Sequence, residues 1–177
     1  MDNDLFAYIQ RLESMAFFVG YPLIYAIVHV ITGKRKEKSS SFVNNLPKLL
    51  PIAYALTATL FIGLLLKDLY PDYSLKNISL QFEYPYLKLW GVLAVLFWIP
   101  ALNKRPALSL FHSLVFFFFL LKDIFLQLSA HSDKEMIKND MKIYTDSLLL
   151  NAFTFIVTAL VYYFCNKIKT NTKASVM

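Results

Sequence analysis

Apolar runs of membrane-spanning length dominate this chain and constrain its fold more than any other feature. A helix must present roughly 17–25 apolar residues to cross a hydrocarbon core of about 30 Å. Five segments approach that length: 15–32, 49–66, 84–102, 107–127 and 148–165. The third is the weakest, because its apolar stretch proper starts at Leu89 and borrows residues 84–88. Together they occupy most of the 177 residues and leave no room for a soluble domain. Only 17% of the residues are charged, where a soluble domain of this size carries about 25%. The pattern predicts an all-α integral membrane protein, a single bundle over 1–177 with five transmembrane helices. It excludes an ordinary soluble enzyme and a disordered chain.

The charges order the two ends of such a bundle. Lys34, Arg35, Lys36, Lys38 and Lys48 lie between the first two segments, Lys104 and Arg105 between the third and fourth, and Lys167, Lys169 and Lys173 follow the fifth. These ten cations share their side with one acid, Glu37, while the other side holds eight cations and eleven acids. The net charges are +9 and −3, which sum to the chain's +6. Cytoplasmic loops collect Lys and Arg, so the N-terminus is expected outside and the C-terminus inside, in a bacterial inner membrane. The acidic start, Met1 to Asp4, lacks the basic n-region of a cleavable signal, which leaves targeting to the first span. The pI of 9.3 follows from the same loop charges, so direct nucleic-acid binding is not expected. Lys34, Arg35, Lys36, Lys38, Lys104 and Arg105 are candidates for contact with anionic lipid headgroups or an acidic cytosolic protein.

Two segments match each other at a fixed offset of 55. Pro51 falls on Pro106, Phe61 on Phe116, and Leu65-Leu66-Lys67-Asp68 on Leu120-Leu121-Lys122-Asp123. Such a match suggests two tandem helical hairpins plus a fifth helix, against chance similarity among Leu- and Phe-rich helices. Pro51 and Pro106 are expected in first turns, where a helix has no use for the missing N–H. Pro22 and Pro100 are placed to disturb helical bonding.

Few residues inside the spans can carry chemistry. Lys122 and Asp123 sit well inside the fourth span, where ionisable groups face a partner or a wet cavity, unless Lys122 snorkels outward. His29 and His112 are placed at similar depth, where imidazoles can handle protons or ions, yet two imidazoles fall short of a zinc site. A helix-packing hydrogen bond is the simpler role for each. Asn151, Thr154 and Thr158 form a polar stripe suited to helix–helix contact. The lone Cys165 makes neither an intrachain disulfide nor a thiolate cage, and no metal or cofactor is expected.

The outer loops carry two local patterns. Ile78, Leu80, Phe82 and Tyr84 alternate with polar residues as a short strand would, next to a formal sequon at Asn77. Ser132 and Glu135 have capping-box spacing, ahead of a short amphipathic helix with Ile137, Met141 and Tyr144 on one face. No phosphate-cradling glycine loop, nucleophile elbow or metalloprotease helix occurs. The expectation is therefore a non-enzymatic homo-oligomer that acts as membrane sensor or anchor for a cytosolic partner, by architectural analogy with the membrane arms of bacterial anti-phage defence systems. The alternative is a small ion channel or transporter using Lys122, Asp123, His29, His112 and Asn151. With Cys165 replaced by Ser, an impermeant thiol reagent should label N3C on intact cells and S175C only after permeabilisation; labelling of residue 3 only after permeabilisation would sink the five-span topology.

Overall fold

The computed structural model describes residues 15–33, 41–71, 73, 85–129 and 134–174, all helical apart from short turns and with no strand among them. Lys34, Arg35, Lys36, Lys38 and the alternating stretch 78–84 lie outside the described residues, as do the sequon at 77–79 and Ser132. Four helices are long and apolar enough to cross a membrane. We number the elements α1 (Met15–Gly33), α2 (Ser41–Leu69), α3 (Pro85–Leu93), α4 (Pro100–Asn103), α5 (Pro106–Ser129) and α6 (Lys134–Ala174).

Proline placement explains where these helices bend. In α1, a turn at Val19–Gly20 precedes the regular stretch Tyr21–Gly33. Pro22 lacks the N–H that would bond the Phe18 carbonyl, so the ladder opens there. The sequence places Pro51 in a first turn, but α2 starts at Ser41 and carries both Pro47 and Pro51 inside it. Pro51 would have donated to Pro47 and Pro47 to Val43, so both losses fall on one side and the remaining ladder holds the helix. Pro106 does begin α5.

The third apolar segment departs most from expectation. Instead of one helix over 84–102, α3 tightens into a 3-10 turn over Ala94–Trp98 and breaks at Ile99 (φ −70°, ψ 125°) before α4. A residue preceding proline is pushed out of the helical region, and Pro100 imposes that on Ile99. Its apolar helical part, Tyr86–Trp98, is shorter than the four long helices. At the other extreme, the short helix expected after Ser132 and the span over 148–165 are one 41-residue helix, α6. No Gly or Pro interrupts Lys134–Ala174. Its inward face also differs from the one expected: Met141 is half exposed, and Asp140 and Ser147 are buried.

The apolar segments alternate in direction. Tyr21 meets Tyr54 while Phe17 meets Phe61, so α1 and α2 are antiparallel. Tyr86 meets Phe119 while Trp90 meets His112, so α3 runs against α5. Phe117 meets Tyr144 while Gln127 bonds Asp140, so α6 runs against α5. These pairings bring Lys48, Lys104, Arg105, Lys167 and Lys169 to one end. The exposed acids Asp68 and Asp146 belong towards the other end.

Phe18 occupies the centre, with ring centroids 4.6 Å from Phe116, 5.3 Å from Phe61 and 5.5 Å from Tyr54. Phe61 and Phe116, paired by the 55-residue offset, thus share one neighbour. The matched acids part company: Asp123 is buried, whereas Asp68 is exposed. Polarity is inverted relative to a soluble protein. On α5, Ser109, His112, Ser113, Phe116, Leu120, Asp123 and Gln127 are buried, while Phe111, Phe118 and Phe125 are 74%, 66% and 69% exposed. These two stripes occupy different faces of the helix.

At the α1 break the backbones of α1 and α6 touch. A Cβ on Gly20 would collide with the backbone of Leu148 and Ser147, which cannot swing aside as a side chain would. Gly63 has nothing within 4 Å. Gly20→Ala should therefore lower unfolding stability in detergent by about 1–3 kcal/mol, the usual cost of overpacking. Gly63→Ala should leave it unchanged or raise it by up to about 1 kcal/mol through helix propensity. Equal melting temperatures for wild type and Gly20→Ala would contradict the close crossing.

Candidate functional site

Polar side chains inside an apolar bundle must find partners there, because lipid offers none. Two neighbouring networks satisfy that demand. The first repairs the break in α1. The Gly20 N–H donates to Ser147 Oγ at 2.9 Å, and Asn151 Nδ2 donates to the Phe17 carbonyl at 2.8 Å. Both side chains come from α6, one turn apart. Asn151 Nδ2 also reaches the Ser147 carbonyl at 2.8 Å, and its Oδ1 is a buried acceptor with no partner among the described residues. Further along the same stripe, Thr154 Oγ1 meets Thr57 Oγ1 of α2 at 3.0 Å. Thr158 bonds back to the Thr154 carbonyl.

The second network encloses His112. Its ring stacks on Trp90 with centroids 4.6 Å apart and planes 4° from parallel. Nε2 lies 2.8 Å from the Trp90 carbonyl, and Nδ1 lies 2.7 Å from Tyr54 Oη. A carbonyl only accepts, so Nε2 donates; in the neutral ring Nδ1 then accepts the Tyr54 hydroxyl proton. Trp90 Nε1 returns a bond to the His112 carbonyl at 3.1 Å. Alongside, Tyr21 Oη and Ser109 Oγ are 2.7 Å apart. Ser109 donates to the Pro106 carbonyl at 2.7 Å, so Tyr21 donates to Ser109. These bonds connect α1, α2, α3 and α5 around one aromatic cluster.

The other sequence candidates do not join these networks. His29 is exposed, its ring beside Tyr25 at 4.5 Å. Because Tyr21 is level with Ser109 on the antiparallel α5, His29 and His112 lie on the order of 15 Å apart along the bundle, not at a shared depth. Lys122 is exposed, among the exposed Phe118, Leu121 and Phe125, the setting in which a lysine snorkels along its own stem. Asp123 is buried on a different face, one turn from Gln127, whose Nε2 donates to Asp140 Oδ2 at 2.9 Å. Lys104 and Arg105 are exposed at the basic end.

Sequence reasoning missed Tyr54, Trp90, Tyr21, Ser109, Ser147, Lys88 and Asp140 as interior groups. For α5 the signal was present: Ser109, His112, Ser113, Asp123 and Gln127 recur at helical spacing. Trp90 and Tyr54 carried no such signal, since an aromatic serves equally well against lipid. Among the described residues no three His, Cys, Asp or Glu side chains come together. No protein-family model, curated protein or solved structure matches the chain. The arrangement itself is a set of interhelical bonds that fixes helix against helix and leaves Asn151 Oδ1 and Gln127 Oε1 as buried acceptors without a partner among the described residues.

Bonds of this kind contribute about 0.6–2 kcal/mol each in membrane proteins. Tyr54→Phe and Asn151→Leu should each lower unfolding stability in mixed micelles by about that amount. Tyr25→Phe, which keeps the ring beside Tyr21 and removes a hydroxyl that belongs to neither network, should not. Equal stability of all three variants would show that the networks contribute nothing to the fold.

Proposed function

We propose that this protein is a non-enzymatic, oligomeric anchor in a bacterial inner membrane that acts through an acidic cytosolic partner at its basic end. The four long apolar helices make it a membrane-embedded, multi-pass protein. The observation that supports an anchor is the use made of the interior polar groups. His112, Asn151 and Thr154 are spent on bonds between helices, which suits a rigid frame better than a conduit.

The basic end supplies the docking face. With a rise of 1.5 Å per residue, α6 is about 60 Å long, roughly twice the hydrocarbon thickness. Tyr163 packs on Phe42 at the start of α2, and α6 continues to Ala174. That extension carries the exposed Lys167 and Lys169. The loop cations Lys34, Arg35, Lys36 and Lys38 follow α1 in sequence. A cytosolic protein with an acidic surface complements this end, and the positive-inside rule sets it in the cytoplasm. Membrane arms of multi-gene defence systems have this architecture, an analogy that directs the search for the partner to neighbouring genes.

The test takes as bait an acidic soluble protein, sought first among the products of neighbouring genes. Its capture by the membrane protein should fall about tenfold or more when Lys34, Arg35, Lys36 and Lys38 are changed to Glu, at roughly 1 kcal/mol per cation. Undiminished capture would refute docking at this end. In proteoliposomes the wild type should not dissipate an ion gradient. A flux abolished by Lys122→Ala or Asp123→Asn would replace this reading with the channel.

A further inference from the structure

At the basic end, the start of α2, the short α4 and the start of α5 enclose a half-open cleft of about 390 Å³. Its lining includes Lys48, Pro100, Asn103, Lys104 and Pro106, and its walls are mostly hydrocarbon. Pro100, which turns the chain at Ile99 into a separate helix of four residues, forms part of its wall. Lys48 Nζ donates to Asn45 Oδ1 at 2.9 Å. Among the described lining residues there is no acid to take the remaining donors of Lys48, and both lysines are exposed.

Depth identifies what such a cleft holds. Lys48 immediately precedes the apolar run that starts at Leu49, and Lys104 lies just before Pro106, where α5 begins. Both ammonium groups therefore stand at the level where hydrocarbon gives way to headgroups. Two cations with an amide at the rim attract a phosphate, and apolar walls below them accept an acyl chain. A free phosphate would gain nothing from those walls. We propose that this cleft is a binding site for an anionic phospholipid, with the headgroup phosphate held between Lys48 and Lys104 and steadied by the Asn103 amide. Basic recesses between helices on the cytoplasmic side recognise anionic headgroups by the same physics. The site requires only that the bundle lies in a membrane; it is independent of any protein partner.

Native mass spectrometry of the detergent-solubilised full chain, titrated with phosphatidylglycerol or phosphatidylcholine, tests it. Wild type should retain phosphatidylglycerol in preference to phosphatidylcholine. Lys48→Ala/Lys104→Ala should weaken that retention on the order of tenfold or more, and Lys48→Arg/Lys104→Arg should restore most of it. Lys167→Ala/Lys169→Ala removes the same charge from the same end and should leave retention unchanged. Equal loss in both alanine pairs would show diffuse attraction to the end as a whole and overturn the site. So would equal retention of the two lipids, or an unaffected Lys48→Ala/Lys104→Ala variant. Displacement of the lipid by glycerol phosphate at matched concentration would overturn the lipid in favour of a soluble phosphate compound. Melting temperatures of the variants, all at exposed positions, separate loss of the site from loss of the fold.

Discussion

A peptide N–H and a carbonyl released inside hydrocarbon must be bonded by something, and in this protein that demand ties the first helix to the last. Pro22 opens the ladder of α1, and the freed groups at Phe17 and Gly20 are taken up by Asn151 and Ser147 of α6. The bonds need the two backbones in contact, which only a glycine at position 20 allows. With α1 fixed there, Phe18 points into the space between Phe61, Phe116 and Tyr54. Tyr54 in turn holds His112, and Tyr21 holds Ser109. The central cluster is thus organised outward from a break in one helix.

Lipid also changes what determines which face of a helix turns inward. A leucine gains no solvation free energy by leaving hydrocarbon for a protein interior, so packing and polar pairing decide orientation. α6 shows this clearly. Its most apolar stretch is only 11% buried, against 50% in α2, yet it is joined to α1 and α2 by Ser147, Asn151 and Thr154. The seam sets these polar groups among Leu148, Ala152 and Phe155, and broad apolar surface lies outside it: Leu149, Phe153, Ile156 and Leu160 are each more than half exposed.

That inversion accounts for what could be read from the sequence. Apolar length located the four long helices, and of the cations that charge asymmetry groups together Lys48, Lys104, Arg105, Lys167 and Lys169 come to one end. The polar stripe Asn151–Thr154–Thr158 reads directly as a contact face. Helix ends were less legible, because apolar length marks the part of a helix in hydrocarbon and not where its backbone bonding stops. Hence α2 begins before Pro47, and α6 runs unbroken from Lys134 to Ala174. The third segment was misread as continuous, although Pro100 already contained the reason for its break. A packing hydrogen bond at His112 was legible, but the partners that make its cage were not. Its donors and acceptors include the main chain of Trp90 and the hydroxyl of Tyr54, which have no periodicity to betray them.

The unbroken course of α6 has a mechanical meaning. A proline or glycine midway would act as a joint and let the two ends move separately. Without one, the Gln127–Asp140 bond, the clasp at Ser147 and Asn151, the Thr154–Thr57 bond and the packing of Tyr163 on Phe42 all bear on one continuous rod. α6 thereby works as a splint, and the contacts spread along it keep the two ends of the bundle in one register.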